Sequence, residues 1–306
     1  MTSHQRIDTH QHMVPPAYGQ WLKSKGITAG GLPIPDWSVD GALGLMDAAG
    51  IATSILSVST PGVFLGDANE ARQQARAVNE YAAEVVQHHP ERFGFFASLN
   101  LPDVEGAITE ARYALTELGA DGVIILANVD GTYFGDPAWM PLMEELQRHK
   151  AVVFVHPSIL PAPTVPGIPA FAADFLLDTT RAAILYAQSG ALERFPDVKV
   201  ILSHAGGFVP YAAERIARIC SPDGSNEGGI ARLRKYYFDT ALSSSPYALP
   251  SLLAFADSTH ITFGSDWPHA TQPRSLHFAR LLDEYPLSAE QREAINWKNA
   301  KSIFMR

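Results

Sequence analysis

The chain has 306 residues, is 46% hydrophobic, and carries a formal charge of -9 with acidic and basic residues interspersed, a balance that repels a phosphate backbone, so no nucleic-acid partner is expected. No stretch approaches the run of about 20 apolar residues that a membrane span needs, and the opening MTSHQRIDTH lacks the basic-then-apolar layout of a signal peptide, so no membrane partner and a cytoplasmic location are expected. The single cysteine, Cys220, leaves no internal disulfide and no thiolate cluster, so any metal here must be held by imidazole and carboxylate.

In chain order, RIDTH (6–10) is the first predicted strand, and His12 stands two residues past its end. ATSILSV (52–58) is the second, followed by apolar residues at helical spacing over 68–89. FGFFASL (93–99) is a third strand, and 104–119 reads as a helix. GVIIL (122–126) is a fourth, and 137–150 is a helix entered through Asp136-Pro137 as cap and first-turn proline. AVVFVH (151–156) is a fifth strand ending in His156. The Pro/Gly-rich PSILPAPTVPGIPA (157–170) reads as a structured loop, because a helical pattern follows it directly. VKVILSH (198–204), YYFDTAL (236–242) and HITFGSD (260–266) complete a set of eight, and the tail over 288–306 is expected to be a closing helix pair on the outside wall.

Several of these strands are continuous apolar runs, the mark of a parallel sheet covered on both faces by crossover helices. Eight such units predict one (β/α)8 TIM barrel with C-terminal closing helices, a single domain over 1–306. An open doubly wound sheet would carry a glycine-rich phosphate turn after its first strand, and DTHQHMVPP contains no glycine.

In a barrel the chemistry gathers at the C-terminal ends of the strands. Of eleven histidines, His10, His12, His156 and His204 fall at or just beyond such ends, and Asp266 ends the eighth strand. Residues at i and i+2 on a strand share a face, so His10 and His12 can turn two nitrogens to one ion, with His156 and Asp266 as further donors. Three nitrogens and one carboxylate suit Zn²⁺, Mn²⁺ or Fe²⁺ and leave a position open. Each residue also has a plainer reading: a core histidine, a turn histidine at His204, a loop cap at Asp266. Their joint placement favours the metal.

The motifs DTHQH, FVHPS, LSHAGG and FGSDWPH resemble the ordered set of the amidohydrolase superfamily. Within it they are most similar to the branch containing aminocarboxymuconate-semialdehyde decarboxylase, γ-resorcylate decarboxylase and 6-methylsalicylate decarboxylase. The resemblance implies that His10, His12, His156 and Asp266 ligate one divalent ion, Zn²⁺ first and Mn²⁺ second, and that His204 is the acid/base group. VIILANVDG, where binuclear members carry a bridging lysine or glutamate, has neither, so one ion is expected rather than two. Asp8 is expected to brace the site from behind. The resemblance also implies that Arg215, eleven residues past His204, reaches into a neighbouring subunit to hold a substrate carboxylate, in which case the working unit is a homodimer. An ordinary salt bridge on the helix surface is the plainer reading of this arginine.

The implied reaction is metal-dependent, non-oxidative decarboxylation of a small hydroxybenzoate-like or unsaturated carboxylic acid, with either Asp266 or water activated by His204 delivering the proton. GIATSILSVSTPGV, PERFGFFASLNLPD and DTTRAA resemble the 6-methylsalicylate decarboxylase group. For a ring substrate Trp267, directly after Asp266, is the first candidate wall, with Phe171 and Trp139 behind it. Two other readings stand beside this one. The same donors could direct water at a lactone, ester or amide, and a non-catalytic barrel could retain the metal.

Overall fold

The computed structural model describes residues 5–304, and residues 1–4 and 305–306, with His4 among them, lie outside the described residues. Eight strands form one sheet: β1 (Arg6–His12), β2 (Ile51–Ser57), β3 (Phe93–Ser98), β4 (Gly122–Leu126), β5 (Val152–His156), β6 (Lys199–Leu202), β7 (Tyr237–Asp239) and β8 (Ile261–Thr262). Neighbours pair in sequence order and every pairing between them is parallel. Closure comes from the parallel bridge Asp8–Phe263, where the Thr9 N–H donates to the Phe263 carbonyl over 2.9 Å. The fold is therefore a (β/α)8 barrel.

Each strand leads into a helix that returns the chain to the bottom of the barrel: α1 (Val39–Ala49), α2 (Ala68–His88), α3 (Val104–Thr116), α4 (Met140–Arg148), α5 (Asp174–Gln188), α6 (Val209–Ile216), α7 (Leu249–Phe255) and α8 (Gln272–Glu284). Carboxylate caps set several of the starts. Asp67 accepts from the Glu70 N–H and Asp103 from the Gly106 N–H, each satisfying a donor that the first helical turn leaves free. Asp136 caps a short 3₁₀ turn (Pro137–Trp139), which runs on into α4.

Burial on both sides explains the continuous apolar strands. Every residue of β3 (FGFFAS) and of β5 (VVFVH) is buried. One set of side chains, with Ile55, Phe96, Ile124, Phe154 and Ile201, fills the barrel interior, while the opposite set meets the helices.

The structure departs from expectation at the strand ends and in the tail. β6 stops at Leu202, β7 at Asp239 and β8 at Thr262, so His204 and Asp266 lie in the turns that leave the barrel mouth. The tail is one irregular helical stretch (Ala289–Glu293, a π segment Ala294–Lys298, Asn299–Ile303). It seals the bottom of the barrel rather than lying only on the wall: Ala300 and Phe304 join the interior cluster, and the Phe304 ring lies 5.9 Å from that of Phe96. The 157–170 segment is a loop, with Val165 and Ile168 exposed.

Candidate metal centre

Alternation along β1 turns Asp8, His10 and His12 to one side, and a register shift between Asp8 and Gln11 adjusts the last turn of that strand. His10 and His12 are fully buried. Their Nε2 atoms are 3.0 Å apart, and Asp266 Oδ1 lies 3.1 Å from His10 Nε2 and 3.3 Å from His12 Nε2. Donors about 2.0–2.2 Å from one ion, at angles between square and tetrahedral, stand roughly 2.8–3.6 Å from each other. These three separations are edges of that size. The His156 ring closes a third side, 4.8 Å from the His12 ring and 5.2 Å from that of His10.

His204 belongs to the same cluster. His10, His156, His204 and Asp266 each present a donor atom, all within 4.8 Å of one another. That quartet contains His204 and omits His12, whereas the shortest separations favour His12: His204 Nε2 is 3.8 Å from Asp266 Oδ1, beyond a coordination edge. Four donors around one point with His204 beside them fits the distances better.

Each imidazole of the first four is locked from behind. His10 Nδ1 is 2.7 Å from Asp239 Oδ2, His12 Nδ1 is 2.9 Å from Ser57 Oγ, and His156 Nδ1 is 2.9 Å from the Pro157 carbonyl. With Nδ1–H donating in each case, Nε2 keeps its lone pair for the centre. Asp239 does more: its Oδ1 accepts from the backbone N–H groups of His204 and Ala241. Asp8 Oδ1 accepts from the N–H groups of His10 and Ser265, tying the first and last strand ends together.

His204 and Asp266 both have left-handed backbones, with φ of 53° and 60°. Non-glycine residues adopt this conformation only where the surroundings fix it, and such strain gathers at functional sites. Here the Asp239 carboxylate holds His204, and the Asp266 N–H donates to the His10 carbonyl over 2.8 Å.

The electrostatics call for a cation. Burial opposes a charged His10, yet Asp239 and Asp266 outweigh it and raise its pKa to about 10. Burial and the neighbouring charge of His10 push His12 down to about 3 and hold His156 well below the usual histidine range. Burial works against the Asp266 carboxylate, but hydrogen bonds from His10, His12 and His204 keep it well below the usual aspartate range. Burial also lifts Asp8 to about 6. A buried cluster of three imidazoles and a carboxylate, three of whose donor atoms stand 3.0–3.3 Å apart, has the donor chemistry for one borderline divalent ion, and the residues fit it.

Above this floor opens a cavity of about 720 Å³. His156, His204 and Asp266 line its base, Phe175, Leu176 and Leu252 its walls, and the exposed Tyr211 and Tyr247 its rim. Of the aromatic residues considered as walls, Phe171 lines the cavity. Trp267 does not: it is buried, and its ring packs over Gly41 of α1. Trp139 lies in the core between barrel and helices. Arg215 is exposed near the end of α6 and does not reach the cavity of its own chain.

Sequence reasoning passed over Asp239, His269 and Arg274. Asp239 carried only a weak signal, a carboxylate in the middle of the predicted strand 236–242, and it becomes a strand-end residue because the observed strand stops there. His269, which the sequence places away from the strand-end pattern, lines the cavity with its ring 5.2 Å from that of His12, and burial lowers its pKa.

A parallel barrel with His-X-His on its first strand, a histidine ending its fifth and an aspartate after its eighth defines the class of metal-dependent amidohydrolase barrels. A family model described as amidohydrolase matches residues 7–306, and the chain belongs to that family. It is 36% identical over 313 residues to the 6-methylsalicylic acid decarboxylase of Penicillium expansum, covering 98% of this chain and 96% of that one. A solved structure described as an amidohydrolase II superposes with a TM-score of 0.92 at 31% identity, over 97% of this chain and 99% of that one. The dihydroxybenzoic acid decarboxylase of Polaromonas sp. JS666, solved with manganese and 2-nitroresorcinol, shares the fold at 24% identity and a TM-score of 0.81, over 98% and 96% of the chains.

Proposed function

We propose that this single barrel domain is a metal-dependent carboxy-lyase that removes carbon dioxide, without oxidation, from a small hydroxybenzoate of the 6-methylsalicylate type. The observation that carries this reading is the convergence of His10, His12, His156 and Asp266 at the floor of an aromatic-walled cavity with His204 beside them. Similarity along nearly the whole chain to a decarboxylase supports it.

His10, His12, His156 and Asp266 would hold the ion, Zn²⁺ first for three imidazoles and one carboxylate, Mn²⁺ second. When bound, the ion would supply the positive charge that stabilises a carboxylate substrate and the negative charge developing on its ring. The remaining work falls to the chain. The bond between ring carbon and carboxylate breaks, its electron pair stays on the ring carbon, that carbon takes up a proton, and carbon dioxide leaves. The proton comes either from water activated by His204, whose Nε2 lies 3.8 Å from Asp266 Oδ1, or from Asp266 itself. Phe175 and its apolar neighbours give a ring substrate an apolar wall to pack on.

Arg215 has no partner in its own chain's cavity and lies four residues from Tyr211 on the rim helix. We place it in the site of a second copy in a homodimer, where a bidentate grip on a carboxylate suits guanidinium. Among the described residues no helix is long and apolar enough to cross a membrane, and one buried cysteine suits the cytoplasm.

The test is a panel of hydroxybenzoates and aryl lactones with metal-loaded protein. Carbon dioxide released with the ring intact supports the reading. Ring opening with one water consumed per bond, and no carbon dioxide, assigns the site to hydrolysis instead.

A further inference from the structure

Among the described residues that line the cavity, Arg274 is the one lysine or arginine. It sits in the first turn of α8, eight residues past Asp266, and the two are joined by a short turn in which the Ala270 N–H donates to the Asp266 carbonyl over 2.8 Å. The side chain is exposed and makes no ion pair with any described carboxylate. Its guanidinium carbon rests 5.6 Å from the centroid of the Phe278 ring, which props the group while leaving its N–H fork free.

We propose that Arg274 is the docking residue for the carboxylate of an incoming aromatic acid, and that it distinguishes the anionic substrate from the uncharged phenol left after decarboxylation. The inference rests on the function proposed above and deepens it. A chain of net charge -9 presents an unfavourable field to an anion approaching from solvent. One unpaired guanidinium at the entrance reverses that locally and offers two parallel donors to a carboxylate. Arg274 meets the carboxylate at the entrance, before the acid reaches the floor; the product has lost that charge, so Arg274 does not hold it on the way out.

The experiment measures binding of two non-reacting probes to the metal-loaded protein by calorimetry: benzoate, which lacks the ortho hydroxyl, and phenol. Arg274→Gln is expected to weaken benzoate about tenfold, as loss of one charge-assisted contact does, and to leave phenol within about twofold. Arg274→Lys should recover part of the loss. Raising the salt concentration should weaken benzoate binding to the unaltered protein much more than to the Gln variant. Unchanged benzoate affinity in Arg274→Gln overturns the proposal, and so does an equal loss for phenol, which marks a structural role. The readout needs no turnover. If no hydroxybenzoate releases carbon dioxide while benzoate still depends on Arg274, the decarboxylase reading falls and takes the substrate-against-product role with it, while Arg274 stands as the docking residue for an aromatic carboxylate.

Discussion

Asp239 Oδ2 lies 2.7 Å from His10 Nδ1 while its Oδ1 accepts the backbone N–H of His204, so one buried carboxylate orients the proposed metal donor and the proposed acid/base group together. Asp239→Asn keeps the shape but puts an amide where the carboxylate accepts two sets of donors. His10 loses the anion that fixes its tautomer. Metal affinity is expected to fall about 10- to 100-fold, the usual cost of removing a partner behind a ligand. Titration with Zn²⁺ or Mn²⁺, followed by metal analysis, checks this. Unaltered affinity would show that the bond at 2.7 Å is incidental.

Gly264 approaches β1 so closely that a Cβ there would lie 2.8 Å from His10 Cβ and 3.1 Å from Ala241 Cβ. Both neighbours are buried and have little room to yield. Gly264→Ala should therefore cost about 1–3 kcal/mol, as overpacking in a core does, and should displace His10 from the centre. Denaturant unfolding together with metal content reads both effects. A variant with full stability and full metal would mean that the strand end yields freely.

His204→Gln should leave the metal bound, because the four shorter-spaced donors remain, and should lower turnover by about 10²–10⁴, the range that general acid/base groups supply. Metal content and carbon dioxide release on the same preparation give the result. Loss of metal along with activity would move His204 into the ligand set in place of His12.

Much of this site was legible because a barrel converts sequence position into spatial position. Once eight apolar runs were counted, His10, His12, His156, His204 and Asp266 could be assigned to one end without knowing a single distance. The boundaries of β7 and β8 were not legible, because YYFDTAL and HITFGSD keep strand-like composition where the chain already turns outward. Adjacency misled at Trp267: at positive φ the chain turns so sharply at Asp266 that its neighbour faces the helices rather than the cavity. Asp239 and His10 are 229 residues apart, and no local pattern joins them. Arg274 becomes visible only when the first turn of α8 is seen to border the cavity.

Away from the site, Glu145 on α4 is nearly buried among Arg112, Arg148 and His149. The hydrogen bond from Arg112 leads in drawing its pKa from 4.5 down to about 2. A carboxylate with a depressed folded-state pKa adds stability that is fully present above its unfolded value and is lost as pH falls through the folded one. Glu145→Gln should thus be less stable than the unaltered protein at pH 7. The gap should close between about pH 4.5 and pH 2. Urea unfolding of both proteins across that range tests the sign, and a gap that widens towards low pH would contradict it.

Removing the metal should destabilise the barrel mouth more than its base. Without the ion, Asp239 and Asp266 have only the proton on His10 between them to balance their charge, since burial keeps His12 and His156 uncharged. Binding to the folded chain alone adds stability of RT ln(1 + [metal]/Kd), about 2.7 kcal/mol at a hundredfold excess over Kd. Chelation followed by stepwise return of Zn²⁺ or Mn²⁺ should raise Tm along that logarithmic course. Hydrogen exchange should show the gain concentrated in the turns that carry His204 and Asp266, where backbone strain is held in place by the cluster. The lower barrel, sealed by Phe304 against Phe96, should exchange slowly with or without metal. A Tm indifferent to metal would mean that the ion does not bind between these four donors at all.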